Sequence, residues 1–293
     1  MRNILCVTLI ALLGGCTSTS VTEKYQDKRN DIINVKDKVI EFETGNVLIG
    51  SVSRLYMSNK CLLIADHKSV DKQIHIFNKN DFSYLTSIGN FGEGPEEITV
   101  MGCLAIDEAH HQLYVSDHAK QKIFSYDMDS VMVDSLYKPQ VKTAMNETLF
   151  PSEYQYINDT LSIAVLIKPT STSTFNQFLG RWNMNTGEMI PMKYTHPDIQ
   201  KKRITFAASE KAGIYVECYT RHDLMTICSL DGELLYNIYG PDWDGGNGNK
   251  LQSFGTVMIG NDKIFVSYCG EDYARDSFPT KILVFDLEGN YLK

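Results

Sequence analysis

KAGIYVECYTRHDLMTICSLDGELLYNIYG, residues 211–240, carries three short apolar stretches parted by two polar turns. Alternation along GIYVECY and LMTICSL is the period of a strand with one buried face, where successive side chains point to opposite sides. Asp231-Gly232 supplies the positive φ that a tight hairpin turn needs. The stretch therefore predicts a three-stranded antiparallel meander.

The same pattern recurs through the chain. Residues 60–89, 111–137, 159–194 and 262–293 each show an apolar strand, a polar turn, a second strand ending in an aromatic residue and a third strand. The aligned anchors Phe77, Tyr126, Trp182, Cys228 and Phe285 are 49, 56, 46 and 57 residues apart. Asn185-Thr186-Gly187 and Glu288-Gly289 stand where Asp231-Gly232 does, and Asn80-Asp81 fills that place without glycine. A period near fifty with three or four strands per unit predicts a β-propeller rather than a sandwich. No ten-residue segment beyond the first twenty residues has helical periodicity, which excludes a helical solenoid. Five units are legible, and KVIEFETGN (38–46) is expected to add an outer strand to a closing blade.

Composition agrees. The 293 residues are 43% hydrophobic and 22% charged, with 16 Tyr and 13 Phe, a strand-leaning and globular balance. The first residues, MRNILCVTLIALLGGCTSTS, place a basic residue before a short apolar run, a secretory signal too short to remain as a membrane span. Leu13-Gly14-Gly15-Cys16 resembles the bacterial lipobox. That resemblance implies cleavage after Gly15, diacylation of the Cys16 sulfur and acylation of the new amino end. The expected organisation is a signal over 1–15, a lipidated tether over 16–37 and a propeller over 38–293. Removing the signal leaves 27 basic against 36 acidic side chains, net −9. So acidic a chain has no electrostatic reason to bind nucleic acid. Thr17 is not the aspartate of inner-membrane retention, and no acidic run follows Cys16. Both point to an outer-membrane lipoprotein of the cell envelope on its periplasmic face.

Five cysteines remain in the mature chain besides Cys16, an odd number. Cys218 and Cys228 flank the turn Thr220–Asp223 and are candidates to face each other. Directly opposed cross-strand disulfides are often strained, so buried free thiols are the preferred reading.

With Leu113-Tyr114-Val115-Ser116-Asp117, Ile282 to Phe285-Asp286 to Gly289, and Gly92-Glu93-Gly94-Pro95-Glu96, the chain resembles TolB-like and NHL-like six-bladed propellers, in particular a family of envelope lipoproteins of unknown function. The resemblance covers roughly residues 38–293.

The candidate sites follow from loops. SIGNFGEGPEEI (87–98) has the glycines of a phosphate loop, but ITVMGCLAID after it reads as strand, and three glutamates would repel an anion. It is expected to be an inter-blade corner, with Glu93 and Glu96 as candidate ligand contacts. PDWDGGNGN (241–249) occupies the matching place after the fourth unit. Asp242 and Asp244 offer oxygens, although the EF-hand register fails; an exposed Trp243 would stack on a sugar or peptide ring, and packing between neighbouring blades is the preferred alternative. Asp66-His67 and Asp117-His118 recur at equivalent places, as a turn-capping repeat or as ligands for a divalent metal such as zinc; calcium is the ion considered for the 241–249 loop. No nucleophile elbow occurs. Lys201-Lys202-Arg203 reads as a solvated basic edge. The expectation is a lipid-anchored binding or scaffold module without a cofactor, whose inter-blade loops take a peptide, glycan or protein partner of the envelope. A metal-assisted, lactonase-like hydrolase or lyase is the alternative.

Overall fold

A computed structural model describes residues 22–134, 136–200, 202–247, 251–272 and 278–293. The signal and Cys16 lie outside them. Five antiparallel sheets follow one another along the chain. The first comprises β2 (Ser53–Met57), β3 (Cys61–Asp66), β4 (Lys72–Asn78) and β5 (Tyr84–Asn90). The second comprises β6 (Met101–Asp107), β7 (Gln112–Asp117), β8 (Lys122–Asp127) and β9 (Gln140–Ala144). The third holds β10 (Phe150–Asn158), β11 (Leu161–Pro169), β12 (Phe175–Trp182) and β13 (Met189–Pro191). The fourth holds β14 (Ile204–Ser209), β15 (Ile214–Tyr219), β16 (Leu224–Ser229) and β17 (Leu234–Tyr239). The fifth has β18 (Leu251–Gly260), β19 (Lys263–Asp272) and β20 (Lys281–Asp286).

This is the all-β propeller that the repeats predict. The five anchors all fall on the third strand of their sheet, and each is essentially buried. The first strands lie innermost, β6 beside β10 and β14 beside β18. Gly187, Gly232 and Gly289 take φ of 77°, 86° and 82° in the expected hairpin turns. In the first sheet, where glycine is missing, the left-handed residue is Phe82 at φ 57°.

The cores lie between sheets. Leu63, Ile74 and Ile76 pack with Val115 and Phe124 across sheets one and two, and Ala105 and Tyr114 with Leu166 and Trp182 across two and three. Ile163 and Leu179 meet Tyr215 and Leu224 across three and four, and Val216 and Ile238 meet Phe254 and Phe285 across four and five. Each joint removes large apolar side chains from water at about 1.5–3 kcal/mol apiece. Among the described residues no buried cluster joins the fifth sheet to the first. On β2, Tyr56 packs into the first joint, whereas Leu55 and Met57 on the opposite face are 68% and 57% exposed.

Several expectations are corrected. Residues 38–46 form no strand; Phe42 instead stacks on Phe82 with ring centroids 4.4 Å apart. The added outer strand comes from within the expected tether. β1 (Glu23–Tyr25) pairs in parallel with β17, placing Glu23 opposite Asn237 and Tyr25 opposite Tyr239. Within the second unit, a short helix α1 (Met128–Val133) forms because the Asp127 carboxylate caps it, accepting from Ser130 N at 2.7 Å. Cys218 lies opposite Met225, and Cys228 opposite Tyr215, so the two thiols are out of register. All five described cysteines are free and buried, as preferred from the sequence. Lys202 is not a solvated edge: its ammonium is buried on the Glu217 carboxylate at 2.8 Å. Lys201 lies outside the described residues.

Candidate functional site

The loop quoted as 87–98 joins β5 to β6 and is a corner. Phe91 bridges Ile98, and Glu97 folds back so that its carboxylate accepts from Gly94 N at 2.8 Å. Lys120 fills its interior, donating to the carbonyls of Gly92, Gly94 and Glu97 at 3.4, 2.5 and 2.6 Å. Glu93 is exposed, and Glu96 forms a surface pair with Lys138 at 2.7 Å.

Asp66 and Asp117 are spent on backbone. Asp66 accepts from Gly50 N and Lys68 N at 2.7 and 2.9 Å. Asp117 accepts from Thr99 N, Val100 N, Ala119 N and Lys120 N at 2.8–3.2 Å. Repeating units need this tie between the end of the second strand and the incoming chain, and an aspartate with four lone-pair sites provides it. The histidines beside them converge on β6. His67 Nδ1 lies 3.2 Å from Met101 O, and His118 packs against Phe150 at 6.0 Å between centroids. Both Nε2 atoms are buried without a hydrogen-bond partner, and burial depresses both pKa values. Among the described residues, the three potential metal ligands that come within 4.8 Å of one another lie elsewhere: Asp107, His110 and Asp159, where sheets two and three meet. His110 Nδ1 is 2.9 Å from Asp107 Oδ2. That contact raises the imidazole's pKa, and the Asp107 carboxyl sits below its ordinary range. Sequence reasoning missed this group because its members come from different sheets.

Asp242, Trp243 and Asp244 do come together with other chemistry. The loop after β17, with Leu251 and Ser253 of β18, borders a pocket of about 260 Å³. Arg221, His222 and Asp223, from the turn between β15 and β16, form its other wall. Asp223 is fixed from several sides. Arg29, eight residues into the described chain, reaches its two oxygens with Nη1 at 2.8 and 3.2 Å. Asp242 N donates to it at 3.1 Å, and Tyr268 OH bonds Asp242 Oδ2 at 3.1 Å. Gly240 is required there, because a Cβ would collide with the Asp223 carboxylate. Burial raises the Asp223 pKa, with Arg29 opposing it. The Arg29 guanidinium is wrapped by the rings of Tyr268, Phe254 and Phe285 at 5.3–5.8 Å, and its Nη2 has no partner.

His222 is 8% exposed, and its Nδ1 also lacks a hydrogen bond. Asp244 Oδ1 stands 3.8 Å away, beyond hydrogen-bond reach. Burial lowers the His222 pKa and the Asp244 charge partly offsets it. Trp243 is half-buried behind this wall, with centroids 5.0 Å from Tyr239, 5.7 Å from His196 and 6.0 Å from His222. Its main contacts are therefore packing contacts, the alternative to a ring presented to solvent.

The family of six-bladed β-propellers denoted DUF5128 matches residues 17–178, more than half of the chain. The chain belongs to this family. Five of its sheets are formed by the described residues. A DUF4221-family member from Bacteroides vulgatus superposes with a TM-score of 0.54 at 11% identity, over 82% of this chain and 79% of that one. A Bacteroides fragilis protein, described as a candidate exported protein, gives 0.50 at 14% identity over 90% and 76%. A chain of a nidogen/laminin complex gives 0.50 at 11% over 80% and 75%. At such identities the likeness is one of fold alone. No curated protein matches the chain. In general terms, a propeller of this family presents a binding or scaffold surface; specific function resides in sites added to the fold.

Proposed function

We propose that the protein is a lipid-anchored binding module of the cell envelope, held at the periplasmic face of the outer membrane through Cys16. Its pocket between the fourth and fifth sheets takes a peptide, glycan or protein partner. The observation that carries this is the pocket itself: Arg221, His222, Asp223, Asp242 and Asp244 converge there from two loops. The lipobox-like Leu13-Gly14-Gly15-Cys16 supports the anchor, and the exported character given to the Bacteroides fragilis neighbour accords with it. Glu93 and Glu96 stand on the separate corner loop and are left as secondary contacts.

Two experiments test the reading. Cys16→Ser should move the protein from the membrane to the soluble fraction; continued membrane association contradicts the anchor. Detergent-solubilised protein should retain a partner from envelope extract that Asp244→Ala fails to retain. Equal retention by both removes the pocket from the reading.

Metal-assisted hydrolysis is the second reading. It rests on the unpartnered imidazoles His67 and His118 and on the Asp107–His110–Asp159 group. It requires about one metal per chain by elemental analysis and a Tm that falls with chelator.

A further inference from the structure

The pocket's chemistry narrows its ligand, and this step rests on the binding-module reading above. We propose that it takes one uncharged sugar residue, the end of a glycan chain. The argument starts from charge. Asp242 and Asp244 stand on one side, Arg221 on the other, with Asp223 already neutralised by Arg29. An anionic ligand would meet the Asp242 and Asp244 carboxylates. A cationic one would meet Arg221. Either would also leave behind water that holds a full charge in place, a large cost in a partly enclosed site.

Hydrogen-bond polarity points the same way. His222 is more than nine-tenths buried, lines the pocket, and has an unused Nδ1. A neutral imidazole offers one donor and one acceptor. The carboxylates only accept, and Arg221 only donates. Hydroxyl groups both donate and accept, so a sugar's neighbouring hydroxyls match this mixed set without any net charge. The 3.8 Å between His222 Nδ1 and Asp244 Oδ1 is too long for a direct bond and leaves both groups able to engage a hydroxyl at the mouth. Size agrees. At about 260 Å³ the pocket lies just below the roughly 300–1,000 Å³ of sites for drug-sized ligands, which suits a single ring. Leu251 provides an apolar wall for the C–H face of a ring. A peptide backbone also donates and accepts, but an extended peptide gains most from a free strand edge, and here the outer edge of the fourth sheet is already occupied by β1.

The test uses the intact protein and a panel of free glucose, galactose, mannose and N-acetylglucosamine, followed on an array of neutral, acidic and basic glycans. Trp243 beside His222 reports binding through its fluorescence. The expected result is saturable binding of a neutral sugar, unchanged between low and high salt because no net charge is neutralised. Asp244→Ala, at an exposed side chain, should weaken it at least tenfold with an unchanged Tm. His222→Asn, which retains a donor and an acceptor, should weaken it less than His222→Leu. Three results overturn the proposal: no neutral sugar binds; a sugar binds equally to wild type and Asp244→Ala; or the array retains only charged glycans with strong salt dependence. If no sugar binds while wild type but not Asp244→Ala captures an envelope peptide or protein, the sugar assignment fails and the binding-module reading stands. If neither occurs, both fail.

Discussion

The corner after β5 and the loop after β17 occupy the same place in the repeat, yet one is closed and the other open. Both follow an outer strand, both are rich in glycine and acidic residues, and both lead to the inner strand of the next sheet. In the first, Lys120 enters from the following sheet and donates to three carbonyls of the loop. In the second, a carboxylate of the preceding sheet, Asp223, lies against the loop, and its balancing cation comes from the far N-terminal segment as Arg29. The pocket lies beside that carboxylate. The two loops differ in what holds them: an ammonium from the following sheet in one, a carboxylate of the preceding sheet in the other.

Removing that charge should have the largest effect. Asp223→Ala leaves the Arg29 guanidinium buried among three aromatic rings without a counter-charge, so a loss of about 3–5 kcal/mol is expected in urea unfolding. A loss under 1 kcal/mol would show that β1 and Arg29 can leave the fourth sheet freely. On the closed side, Lys120→Met strands three carbonyls and should cost about 1–3 kcal/mol. If it cost nothing while opening the corner to solvent, the contrast between the two loops would collapse.

Trp243→Ala comes next. Loss of its aromatic partners should cost roughly 0.5–1.5 kcal/mol beyond its burial, seen as a lower Tm. An unchanged Tm with lost binding would instead restore Trp243 as a ring presented to ligand.

Acid should act on both regions. His67, His75, His118, His196 and His222 all have pKa values held below the ordinary 6.5 by burial. The unfolded chain therefore binds more protons than the folded one as pH falls through 6.5. Their contribution is fully present above that value and is lost between it and the depressed folded values. His110 has the opposite sign: its raised pKa contributes below 6.5 and is lost as pH rises through the folded value. With five depressed histidines against one raised one, the Tm should drop from pH 7 to pH 5. His222→Asn should reduce that drop. At the small end, Glu93→Ala on the exposed corner should stay within about 0.5 kcal/mol of wild type.

The sequence revealed most where interactions are local. Alternation in KILVF and the Gly-containing turns specify strands and hairpins within ten residues, so the meanders and the five anchors were legible. Legible too was the 87–98 corner, because a strand-like run after it rules out the helix that a phosphate loop must open. Asp242 and Asp244 were found as candidates through side-chain type. His222, the residue that most defines the pocket, was passed over within a hairpin turn. Nothing in its neighbourhood distinguishes it from a solvated histidine.

By itself the sequence determined the repeat, the hairpins, the buried third-strand anchors and the acidic surface, because each depends on residues a few positions apart. Tertiary structure alone decided that β1 docks on β17, that Arg29 meets Asp223 across 194 positions, and that Cys218 and Cys228 miss each other by register. Such contacts are selected by the shape and charge of surfaces that exist only once the sheets have packed. A polar stretch such as residues 22–31 therefore has the same composition whether it floats as a tether or completes a site.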